Sequence, residues 1–274
     1  MARWLLCLLL LLPGTATARP SDDGVLQMFG SLALTRGEGE SGWVRKWTGP
    51  VRVLVEGEVA APVLERLDRL LHQVSALTGL AFARDEPARG RKIRIRFRPH
   101  DVVRQRLRDG SVCMSWTFGN SGALHTGLLL VSDDYVDCLA HEFMHLLGFD
   151  AHWRGAAPSA LAHRRARNRT SDLSVWDCAM IRLLYHPSLT TGLDRQPAMS
   201  VARAILETGS LSLDLSPSAP PARADAPPRD PRSAPGRRPP TAHAHARRGF
   251  HVAPEPICAH TPRPDRTSAP EGSG

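Results

Sequence analysis

Between positions 141 and 152 the chain reads His141-Glu142-Phe143-Met144-His145-Leu146-Leu147-Gly148-Phe149-Asp150-Ala151-His152, and this stretch restricts the fold more than any other. Histidines four residues apart advance roughly 6 Å along an α-helix and return to nearly the same face, so both imidazoles can reach one point. Phe143, Leu146 and Leu147, with Leu139 ahead of them, form an opposing apolar side that a core must cover. A helix that buries one side and presents two histidines and a glutamate on another needs a reason for those polar groups, and a metal ion supplies one. Zinc in catalytic sites takes three protein ligands at about 2.0–2.1 Å, plus water. Gly148 can adopt positive φ and end the helix sharply, after which the chain doubles back and presents His152 as the third ligand. Glu142 stands beside the pair, placed to take a proton from water at the ion. Asp150 and His163 are fallback ligands.

The flanking pattern tells what this helix packs on. Val51-Arg52-Val53-Leu54-Val55 alternates as a half-buried strand. Pro62 suits a first helical turn, Val63, Leu64, Leu67, Leu70, Leu71, Val74 and Leu77 recur at three and four, and Gly79 closes the helix. Residues 93–98 alternate strictly as a second strand, closed by Pro99. Two shorter strands, Cys113 to Phe118 and Leu128 to Ser132, are expected across a Gly119-Asn120-Ser121-Gly122 turn. Helices are predicted from Asp133 through His145 to Gly148, from Ser174 to Tyr185, and over residues 197–207. This order belongs to the α+β class, a small twisted sheet packed on helices.

The ends have another character. Arg3, the apolar run Trp4 to Leu12 and the small residues Ala16-Thr17-Ala18 make residues 1–18 a signal peptide, too short to span a bilayer. Export to the periplasm or the exterior follows. Residues 19–42, polar and Gly-rich, are expected to be a loosely ordered lead-in to a domain over 43–209. Residues 210–274, rich in Pro, Ala, Ser and Arg, cannot bury enough surface to order themselves and are expected to be a disordered tail. Part of the net charge of +8 sits in that tail, where Phe250 is the single aromatic, so solvated charge is expected rather than a specific nucleic-acid partner. Beyond Cys7, the cysteines are Cys113, Cys138, Cys178 and Cys258, which allow three pairings in an oxidising compartment. Cys113–Cys138 is favoured, because both flank the strand region leading into the histidine helix. No CxxC pair supports a cysteine zinc site, and no GxSxG elbow surrounds Ser121.

The histidine segment resembles the motif of the metzincin zinc peptidases, HExxHxxG followed by a third histidine. The resemblance implies that His141, His145 and His152 hold Zn2+, that Glu142 is the general base and that Gly148 makes the turn after the active helix. It implies a zincin-like fold and an exported metalloendopeptidase acting on a peptide or protein substrate. Two departures stand against the pattern. The metzincin third histidine falls where this chain has Ala151, so the loop to His152 holds one extra residue. No methionine lies from Trp153 to Asp177 to make a Met-turn, and Met180 is expected to pack within the next helix. They motivate the alternative, a zinc-binding module of weak or no activity in surface or cell-envelope interaction. Tyr185 is the conceivable oxyanion stabiliser. The segment from Asp172 to Ile205, with Leu184-Tyr185-His186-Pro187 and Gly192, also resembles an uncharacterised family of bacterial exported domains, over residues from about 43 to 208, and members of that family can lack the two histidines.

Overall fold

The computed structural model describes residues 20–36, 40–84, 90–107, 111–163, 166–209 and 211. Strict alternation builds the centre of the sheet. In β4 (Val51–Glu56) and β6 (Lys92–Arg98) every second side chain, from Val51 and Val53 to Ile93, Ile95 and Phe97, is buried against the helices, while the intervening arginines face outward. These strands pair in parallel with each other and with β5 (Phe82–Arg84) and β8 (Ala123–Ser132); β3 (Lys46–Trp47) also pairs in parallel with β8. The strand order is β3-β8-β6-β4-β5, and β7 (Cys113–Asn120) adds to β8 as an antiparallel hairpin partner. A mostly parallel sheet of six strands thus packs with helices among the described residues, and the class is α+β. A two-stranded pair, β1 (Thr35–Arg36) and β2 (Glu40–Ser41), stands apart from it.

α2 (Ala61–Thr78) crosses from β4 to β5 with Leu67, Leu70, Leu71, Val74 and Leu77 buried, and ends where Gly79 turns at φ 71°. α4 (Leu139–Leu146) carries the histidines and packs on β7 and β8. α5 (Val175–Tyr185) follows, started by a capping box in which Ser174 and Asp177 exchange bonds. Met180 is fully buried within it, as a packing residue. α6 (Arg195–Glu207) closes the described fold, and α3 (His100–Leu107) covers part of the other sheet face through Val103 and Leu107. Cys113 and Cys138 form a disulfide with Cα atoms 6.5 Å apart, tying β7 to the start of α4. Cys178 is also disulfide-bonded.

Three expectations need correction or bounding. Within the lead-in expected to be loosely ordered over 19–42 stands a helix, α1 (Asp22–Leu32), capped by Ser21 and burying Val25, Met28, Phe29 and Leu32 against α5 and α6. Gly30 permits this approach, since a Cβ there would lie 3.0 Å from the Met199 sulfur. The histidine helix begins at Leu139 rather than Asp133, because the Asp133 N–H donates to Arg98 O and the Ser132 hydroxyl bonds Asp134, which holds the chain in turns. The expected signal peptide over 1–18 and, Leu211 apart, the expected tail over 210–274 lie outside the described residues. No helix among the described residues is long and apolar enough to cross a membrane.

Candidate metal centre

α4 is aimed by what grips its two ends. Its start is fixed by the disulfide to β7 and its apolar face by Leu139, Ala140, Phe143, Met144 and Leu146, all buried. Its last carbonyls, which no helical N–H can satisfy, find buried donors: the Trp47 indole N–H donates to Leu146 O at 2.8 Å and the Tyr185 hydroxyl to Leu147 O at 3.0 Å. Tyr185 accepts in turn from the Trp47 backbone N–H at 3.3 Å, and burial pushes its pKa upward. It is therefore a structural clamp behind the helix, in keeping with its place on a packed helix, which already spoke against the conceivable oxyanion role.

The turn at Gly148 then reverses the chain. Gly148 has φ 113°, and a Cβ on it would sit 2.0 Å from Arg45 O. Phe149 is fully buried, and the Asp150 N–H donates to Leu32 O of α1 at 3.0 Å, which directs the following residues over the helix. His152 arrives beside His141 and His145 despite the extra loop residue. The three ring centroids stand 4.9, 5.0 and 5.0 Å apart. One nitrogen from each ring lies within 4.8 Å of the others, and this group could hold a metal ion.

The tautomers suit that use. His141 Nδ1 lies 2.7 Å from Ala160 O and His145 Nδ1 lies 2.5 Å from Phe149 O. A carbonyl can only accept, so each Nδ1 carries the proton and each Nε2 keeps its lone pair, the arrangement that orients metal-binding imidazoles. His141 Nε2 and His152 Nε2 are 3.1 Å apart. Two nitrogens about 2.0–2.1 Å from one tetrahedral zinc would be separated by roughly 3.3 Å, so the donor set fits that ion. Burial, and after it the neighbouring His145, lowers the His141 pKa to about 3. The same two causes, in the same order, lower that of His152, although its outer face is exposed at the cleft mouth. Both directions keep the rings neutral, as ligation requires.

Glu142 is buried in the same cleft and accepts a hydrogen bond from the Ser115 hydroxyl at 2.7 Å. Ser115 belongs to one face of β7 on which Cys113 bonds Cys138 and Thr117 accepts from Arg45 at 2.8 Å. That alternation, Cys113-x-Ser115-x-Thr117 on the strand before the helix, was the available signal for Ser115 and passed unread. Asp150, a fallback ligand, is excluded by its pairing: Arg45 reaches both its oxygens at 2.7 Å. His163 lines the cleft but is outside the three-histidine group. The cleft, of about 880 Å³, also takes in Tyr135, His100 and Arg169.

Behind the centre lies a polar network that the sequence reading missed. Asp177, fully buried, accepts from the Ser159 hydroxyl at 2.6 Å, the Ala160 N–H at 2.9 Å, and the Ser174 N–H and hydroxyl, each at 2.8 Å. Burial pushes its pKa up, against the opposing pull of those four donors. Its effect on function runs through Ala160, whose carbonyl fixes His141. Asp177→Ala would leave buried donors unsatisfied and is expected to cost about 2–3 kcal/mol of stability. The affinity of the histidine group for a metal ion is expected to fall about 10–100-fold through the loosened His141. Denaturant melts and a zinc titration check this; unchanged affinity in a folded variant would detach the network from the site.

No curated protein matches this chain. A family model does match, over residues 22–204, from the first turn of α1 into α6. The helix in the expected lead-in is therefore within the family's span, as are the three histidines, Glu142, Ser115 and Asp177. This chain belongs to the family described as a protein of unknown function, DUF2927.

Proposed function

We propose that this chain is an exported zinc-dependent metallopeptidase, secreted or periplasmic, built on a zincin-like domain. The observation that carries the reading is the meeting of His141, His145 and His152 within 4.8 Å, in one cleft with the buried Glu142. The three imidazoles would hold Zn2+, which when bound polarises a peptide carbonyl and makes water a better nucleophile near neutral pH. Glu142 takes the proton of the attacking water and passes it to the leaving amine. The Ser115 bond to Oε2 fixes that carboxylate in the cleft. β7 pairs only with β8 among the described residues, and residues 111–115 and 117 line the cleft, so its outer edge is open to an extended peptide bonding backbone to backbone.

A second reading is favoured by the extra residue before His152 and by the absence of methionine from Trp153 to Asp177: a zinc-binding module without turnover, acting in envelope or surface interaction. Purified chain is expected to carry about one zinc per molecule and to cleave members of a peptide library. Chelation should stop the cleavage and lower the melting temperature, because a ligand that binds the folded state alone stabilises it. Stoichiometric zinc without chelator-sensitive cleavage selects the module; no zinc at all ends both readings.

A further inference from the structure

Two cavities meet at one arginine. The first is the histidine cleft; the second, about 980 Å³, is walled by Trp153, Trp176, Leu173, Val175, Ala156 and Pro158. Arg169 lines both. Its backbone is held: the Arg169 N–H donates to Ala166 O at 3.3 Å and the Thr170 N–H to Ser159 O at 3.2 Å, next to the Asp177 network. Asn168, just before it, donates its side-chain amide to Gly155 O and Ala157 O at 3.0 and 2.6 Å. The guanidinium, by contrast, has no hydrogen-bond or ion-pair partner among the described residues, and its five donors are open.

The neighbouring acids are already engaged. Asp150 is held by Arg45, Asp172 by Arg66, and Glu142 by the Ser115 hydroxyl. One arginine thus lines both the three-imidazole cleft and an apolar cavity.

We propose that Arg169 is the carboxylate anchor of this site, selecting peptides that place a carboxylate beside an apolar side chain seated in the Trp153–Trp176 cavity. The planar fork matches a carboxylate in two parallel hydrogen bonds, which a neutral amide cannot reproduce. The carboxylate comes either from a substrate C-terminus or from an aspartate or glutamate side chain. The inference rests on the peptidase reading for its substrate class.

Three labelled peptides of one length and one apolar sequence decide it: a free C-terminal acid, its C-terminal amide, and an amide carrying one glutamate. Fluorescence anisotropy with the full chain bearing Glu142→Gln reads binding without turnover. At least one carboxylate peptide should bind roughly tenfold tighter than the neutral amide, and which one does so names the source. Arg169→Gln should erase the preference, and Arg169→Lys should keep part of it. Equal binding of all three peptides, binding of none, or a preference that survives Arg169→Gln overturns the proposal. Should Arg169→Gln not fold, salt decides on the parent protein: an ion-paired preference fades with ionic strength, and one that persists counts against the anchor. A carboxylate preference without chelator-sensitive cleavage by the unmutated chain would sink the peptidase reading alone; cleavage without the preference would sink the anchor alone.

Discussion

Gly148→Ala is expected to destabilise the protein by about 3–5 kcal/mol, enough to leave much of it unfolded. Two costs add at this position. The backbone sits at φ 113°, which L side chains rarely adopt, and the new methyl would come 2.0 Å from Arg45 O. A backbone carbonyl cannot swing aside as a long side chain can, so either α4 or the segment at Arg45 must shift. Either shift is felt at the centre. Arg45 holds Asp150 two residues past the glycine, and Phe149 O, between them, accepts from His145. Urea melts of the variant beside the parent measure the loss. A variant within about 1 kcal/mol of the parent would mean that the turn relaxes without strain, and that the position is not what directs the chain back over the helix.

How much of this was legible beforehand divides by sequence distance. Periods of 2 and of three-to-four gave β4, β6, α2 and α5 nearly to the residue, since each is decided by its own alternation and, for α2 and β6, its own stop at Gly79 or Pro99. α1 also carried a local signal, a Ser21 cap ahead of Asp22 and Asp23 with apolar residues at helical spacing. It was obscured by Gly24 and Gly30, which lower helix propensity but let α1 press close to Trp176 and Met199. Propensity lost to tertiary contact. The three histidines fall within twelve residues of chain, so their spacing announced them.

Their supports were hidden because they come from afar. Ser115 is 27 residues before Glu142, Ala160 is 19 after His141, and Tyr185 is 38 past the carbonyl it clamps. Nothing in the periodicity of one segment says which other segment will lie against it. Tyr185 illustrates the limit: its place on a packed helix already weakened the idea of an oxyanion donor, but the carbonyl on which its hydroxyl is spent, Leu147 O, lies too far off in sequence to be read.

Glu142→Gln should separate metal holding from chemistry. The substitution keeps the shape of the side chain and leaves an amide oxygen to accept from the Ser115 hydroxyl, so the cleft and its disulfide-tethered helix should stay folded. None of the three imidazoles is altered, and zinc content should remain near that of the parent. What is lost is the basic oxygen, because an amide cannot take a proton from water near neutral pH. The cleavage rate is therefore expected to fall by about 10²–10⁴-fold, with little change in peptide affinity. Single-turnover cleavage paired with metal analysis on the same preparations measures both halves. A variant that binds zinc and cuts as fast as the parent removes Glu142 from the reaction. One that loses zinc together with activity would instead make the carboxylate part of what holds the metal centre, and the helix would have to be read as a binding element rather than as a source of a base.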